Sequence, residues 1–227
     1  GQAGHSLASS TPAQQKRKLD ETAGSVGFVD SESYANTYAF TLRDVLKDVP
    51  GVFVQNRYGQ ELRLSIRSSG IARSYHTRGL EILQDGIPTN QADGSGDYYQ
   101  IDPLALQATE VYKGGNGLAY GSSTLGGAID FLTPTAHTAV APNILRLEGG
   151  SFGTVRSSAQ FSRVVGPLDF IGTFTVDHND GFRQHSRGHR EAAEDVDARE
   201  HHPEQAEILG NRAVRLGRSD QRADDDD

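Results

Sequence analysis

Cysteine is absent from the 227 residues, which removes disulfide frameworks, thiolate nucleophiles and cysteine-based zinc sites together. Reducing and oxidising compartments both stay open to such a chain. Methionine is absent too, and residue 1 is Gly; the chain is expected to have lost its initiator and, with it, any signal peptide. No stretch approaches the roughly 18 consecutive apolar residues that a spanning helix needs, so any membrane residence must use strands. Basic side chains are in deficit, 22 against 30 acidic, and the formal charge of −8 argues against a non-specific nucleic-acid binder. Glycine is plentiful, at 26 residues, giving the composition of a sheet- and turn-rich protein with room for one large or two small domains.

Residues 1–24 carry small and polar side chains and the basic cluster Lys16-Arg17-Lys18, with little apolar surface to offset the entropy of ordering, and are expected to form a flexible arm. Val26, Phe28 and Val29 suggest a short strand. Leu42, Val45, Leu46 and Val49 fall at i, i+3, i+4, i+7 after Thr41 and before Pro50-Gly51, which predicts a capped amphipathic helix. Two strands follow, around Val52–Val54 and Leu62–Ile66, then a third at Leu80–Gln84 closed by Asp85-Gly86. Residues 88–100 are turn chemistry, and a helical turn at Pro103–Leu106 precedes strands at Thr109–Tyr112 and Ala128–Leu132. Beyond Pro142 the period becomes two: Leu145 and Leu147, then Val155, Ser157, Ala159 and Phe161, then Leu168, Phe170, Gly172, Phe174 and Val176 alternate with polar neighbours, and only Ile171 breaks the rule. Such segments suit barrel strands and a soluble antiparallel sheet alike. From Gly188 onward the chain holds 12 acidic and 6 basic residues and shows neither period, so disorder or ragged helix is expected there.

The glycines between Gly114 and Gly127 invite a phosphate-loop reading, but no Gly-Lys-Ser/Thr ending follows and Gly126-Gly127 leads into a strand. Tight turns with close backbone approach explain them better. Asp93 and Asp97 flank Ser95 without the distal Glu of a calcium loop. His185, His189, His201 and His202 lie in the acidic tail, where no scaffold is evident to fix a metal, so they read as solvated and no metal site is expected. Ser122, Ser123, His76 and Asp93 lack a nucleophile elbow, and no catalytic residue is expected. Arg73, Tyr75, His76 and Arg78 sit between two strands, and Tyr98-Tyr99 close the next glycine-rich loop. Flat aromatics with cationic donors suit an anionic multidentate ligand; the same side chains could equally cover a sheet edge.

Several ordered blocks now stand together: Thr41-Leu42-x-Asp44-Val45-Leu46 through Val49-Pro50-Gly51-Val52, Leu64-Ser65-Ile66-Arg67, Arg78-Gly79-Leu80 to Asp85-Gly86-Ile87-Pro88, Ile101-Asp102-Pro103, Glu110-Val111-Tyr112-Lys113-Gly114, and Tyr120-Gly121 through Gly126-Gly127-Ala128-Ile129 to Phe131-x-Thr133-Pro134. In these residues the chain resembles the TonB-dependent outer-membrane receptors. The resemblance implies an α+β plug domain over 25–134, the first antiparallel strands of an incomplete transmembrane β-barrel over 135–187, and an acidic tail over 188–227. It implies uptake of a ferric siderophore or similar iron chelate, with the plug gating the barrel, the arm facing the periplasm toward a TonB-type energy-transducing protein, the Gram-negative outer membrane as location and no cofactor. Ligand contacts are then expected at Arg73, Tyr75, His76, Tyr98 and Tyr99. Lys113 stands where the family usually has Arg, and Asp130 replaces a common Asn; the first loosens plug-to-wall carboxylate pairing. No energy-coupling box is recognisable in residues 1–24. Three strands leave open edges that cost several kcal/mol per bare backbone group in hydrocarbon, so a truncated or frame-shifted product is expected. The alternative reading is a soluble periplasmic or secreted α+β interaction module without transport activity.

Overall fold

The computed structural model describes residues 10–56, 61–69, 77, 79–91, 94, 96, 98, 100–121, 124–166, 168–180 and, as backbone, 188–200. Contacts divide the chain into two units, 1–138 and 139–227.

In the first unit, α1 (Pro12–Asp20) opens inside the segment expected to be a flexible arm. The correction has a local cause. Thr11 and Gln14 form a reciprocal capping box, with Thr11 N–H donating to Gln14 Oε1 at 3.0 Å and Gln14 N–H to Thr11 Oγ1 at 3.4 Å, and Pro12 starts the first turn with a preset φ. A nine-residue helix is marginal by itself; burial of Leu19 supplies the missing anchor. β1 (Val26–Asp30) follows, then α2 (Leu42–Leu46). The Asp44 carboxylate turns back to accept from the N–H groups of Phe40 and Thr41, both at 3.0 Å, and so satisfies two orphan donors at the helix start.

β2 (Val52–Asn56) and β3 (Leu62–Ile66) form a hairpin sheet of their own. β4 (Leu80–Gln84), the short β5 (Ile87–Pro88), β6 (Ala108–Lys113) and β7 (Gly127–Leu132) join β1 in a five-stranded sheet of order β1-β6-β7-β4-β5. β4 and β7 run parallel; the other pairs are antiparallel. One apolar cluster gathers Leu42, Val45 and Leu46 of α2, Leu62, Leu64 and Ile66 of β3, and Leu80, Ile82, Val111, Ile129 and Phe131 of the large sheet. A 3-10 turn at Pro103–Ala105 is capped by Asp102, whose carboxylate accepts from Leu104 N–H at 3.0 Å.

The glycine-rich run is a 3-10 segment, Gly114–Tyr120, followed by β7. A Cβ on Gly117 would stand 2.9 Å from the Gly127 backbone, and Gly127 itself has φ +143° with the Tyr112 carbonyl where its side chain would be. The glycines therefore serve close backbone approach, as the sequence suggests.

In the second unit, β8 (Asn143–Gly149), β9 (Val155–Val165), β10 (Leu168–Asn179) and β11 (Gly188–Glu200) form an antiparallel sheet in the order β11-β10-β9-β8. β11 corrects the expectation of no regular structure after Gly188. Its sequence carries no strand period; its backbone instead pairs along the whole of β10, with a register shift between Ile171 and Thr173.

The sides of this sheet are sorted in an unusual sense. Arg156, Ser158, Ser162, Asp169, Thr173, Thr175 and Asp177 are buried, whereas Leu145, Leu147, Val155, Phe161 and Phe174 are exposed. Ile171, which broke the alternation, lies on the sheltered polar side. By register, Glu148, Arg156, Asp177 and Arg190 are successive partners across all four strands. Arg156 Nη1 stands 3.4 Å from Glu148 Oε2, and one rung on, Thr175 Oγ1 donates to Ser158 Oγ at 3.2 Å.

Replacing Gly127 by Ala is expected to lower the unfolding free energy of the first unit by about 2–4 kcal/mol, because it adds left-handed strain and a backbone clash together. Denaturant titration of that unit measures it, and a change within error would show that the approach can relax.

Candidate functional site

Of the expected ligand contacts, Arg73, Tyr75, His76 and Tyr99 lie outside the described residues, as do Arg78, Asp93, Ser122 and Ser123. Tyr98 is described: it is 7% exposed within the apolar cluster, and burial pushes its phenol well above the ordinary range. Its ring is spent on packing.

The roots of the two candidate loops are visible, and they share one polar hub. Thr77, which directly follows the Arg73–His76 run, donates its N–H to Gly94 O at 2.9 Å and its hydroxyl to the same carbonyl at 3.2 Å. Asn90 Nδ2 donates to Thr77 Oγ1 at 2.6 Å and to Leu80 O at 2.9 Å, while Asn90 Oδ1 accepts from Ile82 N–H at 2.7 Å. Thr89 completes the hub through Ile82 O, donating from N at 2.8 Å and from Oγ1 at 3.1 Å. A Cβ on Gly96 would meet the Thr77 methyl at 3.4 Å. Thr77, Asn90 and Gly94 are thus tied to one another and to β4. Sequence reasoning missed the hub: Asn90 was legible only as turn chemistry, and nothing in the string pairs it with Thr77.

A second polar cluster lies on the central strands. Asp130 of β7 is 5% exposed and faces Glu110 of β6 directly across the register. Its Oδ1 accepts from Gly86 N–H at 3.0 Å. Asp85, in the turn after β4, accepts from Thr133 N–H at 2.8 Å and from Thr133 Oγ1 at 2.6 Å. Tyr112 donates to Glu110 Oε2 at 2.5 Å, and its ring lies tilted at 51° to that of Tyr120, with centroids 4.8 Å apart. Burial, outweighing the Gly86 hydrogen bond and aided by the charges of Asp85 and Glu110, raises the Asp130 carboxyl to about 7. Burial likewise moves the Tyr120 phenol up to about 12. Tyr112 is driven higher, by burial first and by its bond to Glu110 next. Lys113, 6% exposed, is lowered by burial and then by the nearby charge of Arg67. None of this assembles a nucleophile with a base, and among the described residues no trio of His, Asp and Glu is placed to hold a metal. The arrangement can hold loops and exchange a proton.

The family model "TonB-dependent Receptor Plug Domain" matches residues 18–128. That stretch is a TonB-dependent receptor plug domain. The matched span begins in α1 and ends in β7, and so takes in both polar clusters. The chain is 28% identical over 170 residues to the vitamin B12 transporter BtuB of Vibrio vulnificus, covering 74% of this chain and 27% of that protein. It is 27% identical over 135 residues to the hemin receptor of Yersinia enterocolitica, covering 58% of this chain and 18% of that one. It therefore spans about a quarter or less of the length of these relatives. They are named as a transporter and a receptor, not as enzymes. In fold, the chain is similar to the ferric citrate transporter FecA, with TM-score 0.58 and 19% identity over 80% of this chain and 29% of that one. It is similar also to the iron transporter FrpB of Neisseria meningitidis, with TM-score 0.57 and 18% identity over 72% and 27%. A plug followed by antiparallel strands, as expected from the sequence, is the fold observed.

Two outcomes follow for the plug. Asn90→Ala removes the acceptor of the Ile82 N–H and the amide donor to the Thr77 oxygen, and is expected to cost about 1–3 kcal/mol, read by denaturant titration. Asp130 binds its proton more tightly folded, at about 7, than at its ordinary 3.8. Its stabilising protonation is complete below pH 3.8 and is lost as pH rises through 7. Asp130→Asn should then flatten this fall and make the plug more stable at pH 8; an unchanged pH slope between 4 and 8 would show that the carboxyl is not the titrating group.

Proposed function

We propose that the chain is the plug and the opening barrel strands of a TonB-dependent outer-membrane receptor that takes up a ferric siderophore or a similar iron chelate. The observation that carries this reading is the inverted sheet after the plug. A water-soluble sheet buries its apolar side, whereas here leucine, valine and phenylalanine stand in the open and arginine, aspartate, serine and threonine are sheltered. Hydrocarbon is the medium that makes such sorting favourable, since lipid-facing and lumen-facing residues alternate along barrel strands. A soluble interaction module would leave that apolar side facing water.

In this reading the plug closes the pore and its loops meet the chelate. The run Arg73, Tyr75 and His76, together with Tyr99, offers cationic and aromatic groups to an anionic multidentate ligand, while the buried Tyr98 anchors the second loop beside Tyr99. The N-terminal arm engages a TonB-type energy-transducing partner on the periplasmic side. Chemical transformation of the ligand has no part in it. The work is binding and gating. Relatives named for vitamin B12 and hemin make those chelates the natural comparators in a ligand panel.

Two measurements test the proposal. On fractionation the chain should be recovered in detergent extracts of the outer membrane; a monodisperse water-soluble monomer would overturn the membrane reading. In the intact receptor, replacing Arg73 and Tyr99 together by Ala should weaken ferric-chelate binding by about tenfold or more. Unchanged affinity would remove these residues from the ligand site.

A further inference from the structure

One tight turn fastens the end of β4 to the end of β7. Asp85 and Gly86, both left-handed at φ +52° and +79°, join β4 to β5 as a two-residue hairpin connection. Asp85 N–H donates to Phe131 O at 3.0 Å, and Gly86 N–H donates to Asp130 Oδ1 at 3.0 Å. The Asp85 carboxylate in turn accepts from the N–H and the hydroxyl of Thr133, at 2.8 and 2.6 Å. Thr133 is the first residue beyond β7, so the turn grips the segment by which the chain leaves the large sheet. On its far side the turn is lightly held: β5 is an edge strand that pairs only through Ile87 and Pro88, with Ile87 46% exposed.

The groups around buried Asp130 are acidic or phenolic. Glu110 of β6 is its register partner, and Asp85 approaches from the turn. Glu81 stands on the same face of β4, two residues from the register partner Leu83, and Tyr112 and Tyr120 lie beside Glu110. Among the described residues, the strand positions on that face of β1, β4, β6 and β7 include no Lys or Arg; Lys113 falls on the opposite face. A carboxylate formed there has to recover water, and the edge turn is the part of its surroundings that yields with least loss of packing. We propose that the Asp85-Gly86 turn is a proton-operated clasp, which holds Thr133 while Asp130 is protonated and releases it when Asp130 ionises. The carboxyl stands at about 7 in the closed form and returns toward its ordinary 3.8 once water reaches it. Since the closed form binds the proton more tightly, opening gains up to about tenfold per pH unit between those values and levels off above the higher one.

The test uses the detergent-solubilised full chain and residue-resolved hydrogen exchange between pH 5 and 8, with each rate divided by that of an unstructured peptide at the same pH. The amides of Asp85, Gly86 and Thr133 should open at least about tenfold more often at pH 7.5 than at pH 5.5. Those of β3 should change by less than about twofold, because the release is local. Asp130→Asn keeps an acceptor for Gly86 N–H and carries no charge at any pH, and should remove the pH dependence. Where that variant does not fold, Glu110→Gln decides: it keeps an acceptor for Tyr112 but takes away a facing charge, and should shift the midpoint of opening to lower pH. The proposal is overturned if opening of these amides is flat from pH 5 to 8 in the unaltered chain, if its pH dependence survives in Asp130→Asn, if Glu110→Gln leaves the midpoint in place, or if β3 opens to the same extent.

Discussion

Everything in the plug is arranged around β7. It runs antiparallel to β6 on one side and parallel to β4 on the other, so both rows of its backbone groups are committed within the sheet. A central strand of this kind tolerates no slack at its ends. Its start is admitted only because Gly117 and Gly127 let one backbone lie on another. Its middle carries Asp130, whose carboxyl burial raises to about 7 opposite Glu110. Its parallel neighbour β4 is bonded through Leu80 and Ile82 to the Asn90 hub. Packing, electrostatics and loop placement are therefore consequences of one pairing scheme.

The two units obey opposite rules about solvent. In the plug, apolar side chains from α2, β3 and the large sheet converge on one cluster, as the hydrophobic effect requires of a globule in water. Along β8 to β10 the sheltered side chains are largely polar, and leucine, valine and phenylalanine are exposed. One short polypeptide holds both patterns, and the switch falls near the boundary at residues 138 and 139.

Much of this was legible in the string. The helix at Leu42–Leu46 followed from its spacing and its Thr41 start, and the strands at Leu62–Ile66, Leu80–Gln84 and Gly127–Leu132 followed from alternation and turn residues. What escaped has identifiable causes. α1 was announced by its capping box, Thr11 and Gln14 around Pro12, but low apolar content outweighed that signal because the burial of Leu19 depends on tertiary packing. β11 has no period because it is shaped by the open side of β10 rather than by its own side chains. The loop hub joins Thr77 to Asn90 through side-chain bonds that no spacing rule encodes. The alternation of β8 to β10 fitted two solvents equally well, and only the burial of Arg156 and Asp177 separates them.

The register of Glu148, Arg156, Asp177 and Arg190 has an electrical consequence. Formal charges at these positions alternate in sign and cancel across the row. With neighbouring strands about 4.8 Å apart, the opposing contributions extinguish one another within a few strand widths, leaving short-range multipoles instead of a monopole field. A row built in this way carries its charges without presenting a net one, so its field is felt only at close range.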